Sequence, residues 1–127
     1  MKVLINKLQD IEPNEFWYLA SPYSKYPDGI EAAFKEVSKG AAWLISKGVK
    51  LYCPIAHTHP IAIHGGMNPL DHEIWLPADT PFMNTAMGLL VYQMPTWQDS
   101  YGISVEIEMF KQQEKPVEYL EWPLEIV

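Results

Sequence analysis

Apolar runs alternate with helical stripes along this chain, and that alternation sets the expected fold. Phe16-Trp17-Tyr18-Leu19-Ala20 is a continuous apolar run. It reads as a strand buried on both faces, as in parallel sheets. Ser21 to Gly29 follows as a loop by its Pro, Ser and Gly content. Ile30 to Lys47 reads as a helix, because Ala33, Val37, Ala41 and Leu44 recur at helical spacing. Asp28 is its expected N-cap and Gly48 its expected stop. Val49 to Cys53 is a second strand, so this span is a βαβ unit with a right-handed crossover. Gly88 to Gln93 is a third strand and Pro116 to Leu120 a fourth.

The stretches between carry weaker patterns. Val3-Leu4-Ile5 reads as a short edge strand or a mobile lead-in. Ile55 to Pro69 holds three histidines, two glycines and two prolines, and reads as a long loop of the kind that carries function. Asp71 to Trp75 reads as a helical turn interrupted by Pro77. Asp79 to Met87 reads as a short helix, with Asp79 as N-cap and Pro81 near its start. The tail Glu121 to Val127 alternates polar and apolar residues but contains Pro123, and no element is assigned to it. The order of elements predicts one α/β domain over residues 1–127. Its architecture is a three-layer sandwich around a mainly parallel sheet of four or five strands.

One polar turn stands out against this frame. Gln98 to Gly102 follows the third strand and opens a helix that runs to about Gln113. Ile103, Ile107 and Phe110 form the apolar stripe of that helix, and Glu106 lies at its edge. Helical side chains lean towards the helix N-terminus. Glu106 should therefore point back at the turn, where ligands bind in parallel α/β sheets.

Composition narrows the partners. The chain has 127 residues, 48% hydrophobic and 20% charged, which suits a single globular core. No apolar run approaches the roughly 20 residues that span a membrane, and the N-terminal run is too short for a signal peptide. The single Cys53 excludes an intrachain disulfide and fits a reducing compartment, so a cytoplasmic location is expected, with no membrane partner. The net charge of −7 and the lack of a Lys/Arg cluster argue against a polymeric nucleic acid as partner. A small nucleotide needs no such patch, because a helix N-terminus and a few polar groups can hold one phosphate.

The groups expected at the strand C-terminal ends are Tyr18, Ser21, Tyr23, His57, His59, Asp79, Ser100 and Glu106. Glu106 can serve as a nucleophile at a sugar anomeric carbon, as a general base, or simply as a solvated helix residue. Ser100 is a phosphate ligand or an N-cap. His57-Thr58-His59 lacks a well-placed third ligand for zinc, so no metal is expected and substrate contact or loop hydrogen bonding is the preferred reading. Trp75 and Trp97 are stacking candidates, whereas Trp17 and Trp43 are assigned to the core. There is no Gly-rich phosphate loop, and no cofactor is implied.

Tyr18-Leu19-Ala20-Ser21-Pro22-Tyr23 resembles the first-strand signature of nucleoside 2-deoxyribosyltransferases and their relatives. Ser100-x-Gly102-x-x-x-Glu106 resembles their catalytic turn and helix. The likeness is nearest to a small bacterial and phage branch, through Pro95, Trp97, Ser100 and Gly102 and through Pro54-Ile55-Ala56-His57. It extends from about Phe16 to Leu120. The resemblance implies a flavodoxin-like or Rossmann-like fold and N-glycosidic chemistry. It implies Glu106 as nucleophile, Tyr18 as the tyrosine that hydrogen-bonds it, and Asp79 near the acid that contacts the base. It makes Ser21, Tyr23, His57, Trp97, Ser100 and Gly102 the expected substrate-binding residues. Transferases acting on free nucleosides commonly carry Asp where this chain has Ser100, whereas deoxynucleoside 5′-monophosphate N-glycosidases carry Ser. A serine beside a helix N-terminus can donate to a phosphate that an aspartate would repel.

The expected activity is therefore hydrolysis or base exchange on a nucleoside 5′-monophosphate or nucleoside. The alternative is a module that binds or senses a nucleotide without turnover. A third reading, a degenerate fold kept for partner contacts, predicts that Tyr18 and Glu106 are far apart or buried under other side chains. The enzymes it resembles are usually dimers or larger, which makes a homo-oligomer the expectation.

Overall fold

The computed structural model describes residues 1–124; the end of the tail, residues 125–127, lies outside the described residues. The elements are α1 (Lys2–Gln9), β1 (Trp17–Ala20), α2 (Ile30–Ser46), β2 (Leu51–Tyr52), α3 (Pro54–Gly65), α4 (His72–Thr85), β3 (Gly88–Gln93), α5 (Tyr101–Gln112) and β4 (Val117–Glu121), with a 3₁₀ turn at Trp97–Asp99 before α5. The strands form one four-stranded sheet in the order β2-β1-β3-β4. All pairs are parallel, with Tyr18 opposite both Tyr52 and Leu89. This is the flavodoxin-like or Rossmann-like sandwich that the sequence predicts.

Side chains alternate across β1 and so belong to two cores. Trp17 and Leu19 pack with Leu8, Val37, Leu44, Leu90 and Tyr92, under α1 and α2. Tyr18 and Ala20 pack with Met83, Ala86, Leu89, Val91, Ile103 and Phe110, under α4 and α5. Among the described residues, no helix is long and apolar enough to cross a membrane.

Five local expectations need correction. The N-terminal stretch is neither an edge strand nor a lead-in but the helix α1. Leu4 and Leu8 are one turn apart, Leu8 is fully buried, and its carbonyl accepts the Trp17 Nε1–H at 2.9 Å. Ile55 to Pro69 is mostly helix, because Pro54 occupies the first turn, where no backbone N–H is required. Gly66 ends α3 in the left-handed region at φ 68°. The two helical pieces foreseen around Pro77 are one helix, α4. Pro77 and Pro81 both lie on its exposed side, where water can satisfy the carbonyls they leave unbonded. Asp71 caps α4 by accepting the Glu73 N–H at 3.1 Å, so Asp79 is an interior residue and not a cap. Gly29, not Asp28, is the N-cap of α2.

Candidate functional site

The chain enters α3 after β2 and α5 after β3, the two strands that flank β1. The two helix starts therefore bracket the C-terminal end of β1, and α4 walls the space between them. The cleft so formed is open to solvent and encloses a cavity of about 100 Å³. Tyr18 and Glu106 lie in its interior, Asp79 on the α4 wall, and Ser100 and Gly102 at the α5 start. Ser21 and Tyr23 come from the loop after β1. Leu70, Trp75, Leu76 and Met83 give one wall an apolar surface.

Glu106 projects from the first half of α5 back towards the turn, as its spacing predicts. Burial pushes its carboxyl up to about 8; the nearby Tyr18 hydroxyl opposes that shift, and the charge of Asp79 adds to it. Asp79 is pushed up to about 6, again by burial, although the Tyr52 hydroxyl donates to it at 3.4 Å. Tyr18 is fully buried. Its phenol is held far above the usual range by burial and by the nearby charges of Glu106 and Asp79. The Tyr18 hydroxyl faces Glu106 closely enough for each to alter the other's proton affinity, yet it makes no close hydrogen bond. Ser21 Oγ, on a residue 6% exposed, is likewise unpartnered.

Ser100 is the N-cap of α5, where its Oγ accepts the Ile103 N–H at 3.2 Å. An accepting hydroxyl still has a proton to give, so the cap does not exclude a second contact. A Cβ built on Gly102 would meet only Ser100 Oγ, at 3.8 Å. Packing therefore does not demand glycine there, and the space over it opens to the cleft.

Two expected binding residues lie elsewhere. In a helix, residues two apart point about 200° apart, so the helical state of α3 separates His57 from His59. His57 is exposed, with its ring beside Tyr52 and Phe82 and outside the cleft. Trp97 turns away to pack on Tyr119 at 5.8 Å, because the 3₁₀ turn directs its ring towards β4. Trp75 does line the cleft.

His59 faces inwards and is 3% exposed. Its Nδ1 is hydrogen-bonded to the Tyr23 hydroxyl, and its Nε2 meets Glu31 Oε2 at 2.7 Å. Phe34 stacks on the imidazole at 4.5 Å. Glu31 is absent from the expected set, and so are His72 and Tyr101, which flank the cleft with an edge-on contact at 5.2 Å. The one local signal for Glu31 is its acidic character in the first turn of a helix, which by itself reads as a dipole partner.

Residues 15–122 match the model of a family described as "Domain of unknown function (DUF1937)". The chain belongs to that family. No curated protein matches the chain.

Proposed function

We propose that this DUF1937 protein is an N-glycosidase acting on a nucleoside 5′-monophosphate or nucleoside through a glycosyl-enzyme on Glu106. The observation that carries the reading is the meeting of the Glu106 carboxyl and the buried, unpartnered Tyr18 hydroxyl in one cleft, beside the N-terminus of α5. Glu106 forms the new bond to C1′ while the C1′–N bond breaks and its electron pair leaves with the base. Water then cleaves the ester, or a second base takes its place. Tyr18 steadies the carboxylate. Ser100 and the first N–H groups of α5 receive the 5′-phosphate. The wall of Leu70, Trp75 and Leu76 suits a planar base. The lone buried Cys53 suits an enzyme of the cytoplasmic nucleotide pool.

The raised proton affinity of Glu106 has a direct consequence. A nucleophile must be ionised, so base release should climb as pH rises through about 8. The test incubates the protein with a panel of deoxynucleoside and ribonucleoside monophosphates and nucleosides, and follows free base by chromatography. Release from at least one of them is expected, with a loss of about 10³-fold or more in Glu106→Ala. Unchanged release in that variant removes Glu106 as nucleophile. The second reading, binding without turnover, also rests on Glu106: a carboxyl that keeps its proton near neutral pH can donate to a ribose hydroxyl. Calorimetric binding of a nucleotide recovered intact would favour it.

A further inference from the structure

We propose that Glu31, His59 and Tyr23 form a proton relay in which Tyr23 is the catalytic acid that protonates the departing base. The inference rests on the N-glycosidase reading above and adds a component to the same cleft. Three elements supply it: Glu31 from the first turn of α2, His59 from α3, and Tyr23 from the loop after β1. The hydrogen bonds are continuous from Glu31 to Tyr23. The Glu31 side chain is 60% exposed, His59 is buried, and Tyr23 lines the cleft. The chain of contacts therefore runs from bulk water to the ligand space. Phe34 stacks on the imidazole and holds the ring in line with both partners.

Placement separates this relay from the phosphate end. His59 lies on α3, which follows β2, whereas Ser100 lies at the start of α5, which follows β3. With β1 between those strands, the two groups enter the cleft from opposite sides. A nucleotide anchored by its phosphate at α5 extends its base towards the Tyr23 side.

The proton count closes. With both imidazole nitrogens protonated, Nε2–H donates to Glu31 and Nδ1–H donates to the Tyr23 oxygen. Tyr23 is then free to donate its own proton into the cleft. As the C1′–N bond breaks, the base nitrogen takes the Tyr23 proton, and Tyr23 takes the Nδ1 proton of His59. His59 is left neutral, still bonded to Glu31 through Nε2–H. In the second half, the attacking water gives a proton to Tyr23, which returns its own to His59 Nδ1. Glu106 leaves as a carboxylate, and the relay is reset.

Asp79 is the competing donor, and it is less suited. The Tyr52 hydroxyl donates to its Oδ1 at 3.4 Å, a contact that favours the ionised, non-donating carboxylate. Tyr23 retains its proton, because burial and the charge of Glu31 push it up to about 12.

The test separates proton donation from folding by changing the leaving group. Tyr23→Phe and His59→Gln would be assayed at saturating substrate on the most active nucleotide found with the unaltered protein. The same assay would use that nucleotide with a base that departs without a proton, an N7-methylated purine or a 5-nitrouracil. We expect kcat to fall about 100-fold in both variants on the ordinary nucleotide and to change little on the activated one. The double variant should be no worse than either single one, since the residues act as a unit. Equal losses on both substrates, or no loss on the ordinary one, would overturn the relay. If the unaltered protein releases no base from any substrate, the N-glycosidase reading itself falls, and the relay with it.

Discussion

The two edges of the sheet are built on opposite principles. At the N-terminal edge of the strands, polar groups are paired off. The ladder begins with Trp17 N–H to Lys50 O, Met87 N–H to Phe16 O and Leu89 N–H to Pro116 O, each at 2.9 Å. Lys50 Nζ donates to the carbonyls of Glu12 and Pro13 at 2.8 Å, and Lys115 Nζ to those of Met83 and Asn84 at 3.0 and 2.7 Å. At the C-terminal edge the pattern reverses. The described residues' buried side-chain polar atoms without a partner are Tyr18 Oη, Ser21 Oγ and Thr96 Oγ1. The first two line the cleft, and Thr96 follows β3 with φ 76°, a conformation that strains a β-branched residue. Two carboxyl groups there are held protonated above their ordinary range. Native proteins leave few buried polar groups unpaired, because each costs about 1–3 kcal/mol. Two of the three, Tyr18 Oη and Ser21 Oγ, lie in the cleft, where a bound molecule can offset their cost.

Substitutions at equivalent glycines should expose this contrast most strongly. Gly88 opens β3, and a Cβ on it would lie 2.5 Å from the Trp17 ring and 2.9 Å from the Pro116 carbonyl oxygen. Gly88→Ala should therefore lower stability by about 2–3 kcal/mol, measured by urea unfolding. A loss below about 0.5 kcal/mol would mean that this edge is looser than its packing indicates.

Glu106→Gln should act in the opposite direction. The folded carboxyl titrates at about 8 and the free side chain at 4.5. Between those values the folded state binds the extra proton, so stability falls as pH rises through the window. Below 4.5 both states are protonated and the effect vanishes. The neutral amide avoids the loss, so Glu106→Gln should be more stable than the unaltered protein by about 2 kcal/mol at pH 8. The two should differ little at pH 4. Equal stability at both pH values would show that the carboxyl is not desolvated.

Gly102→Ala is the smallest and sharpest of the three. It meets no backbone, and it replaces a helical glycine, so stability should hold or rise by about 0.5–1 kcal/mol. Its methyl group enters the cleft, and nucleotide binding followed by calorimetry should weaken. A variant that loses stability as Gly88→Ala does would dissolve the distinction between the edges.

Much of the fold was legible because its signals are local. The runs at Phe16 to Ala20 and Gly88 to Gln93 are continuously apolar, and the stripes of α2 and α5 repeat at helical spacing. The direction of Glu106 followed from the lean of helical side chains alone. The stretches misread were the N-terminal one, where Val3-Leu4-Ile5 suits a strand as well as the helix it forms, and those rich in proline and histidine. Pro54, Pro77 and Pro81 look like breakers in a sequence. Whether they break a helix depends on where they sit in it and on which carbonyls face water, and no local pattern states that. The same limit applied to His57 and His59, since only the helical state of α3 decides which of them turns inwards.

The sequence by itself determined the parallel α/β scaffold and placed Glu106 and Ser100 at a helix start. Those features follow from periodicity and capping within a few residues. The tertiary structure alone decided what surrounds them. Tyr23 and Glu31 meet His59 across 36 and 28 residues of chain, and Asp79 reaches the cleft only because α4 continues through its prolines. Proton affinities at the cleft depend on burial and on charges brought close by folding, and neither is a property of any short stretch of sequence.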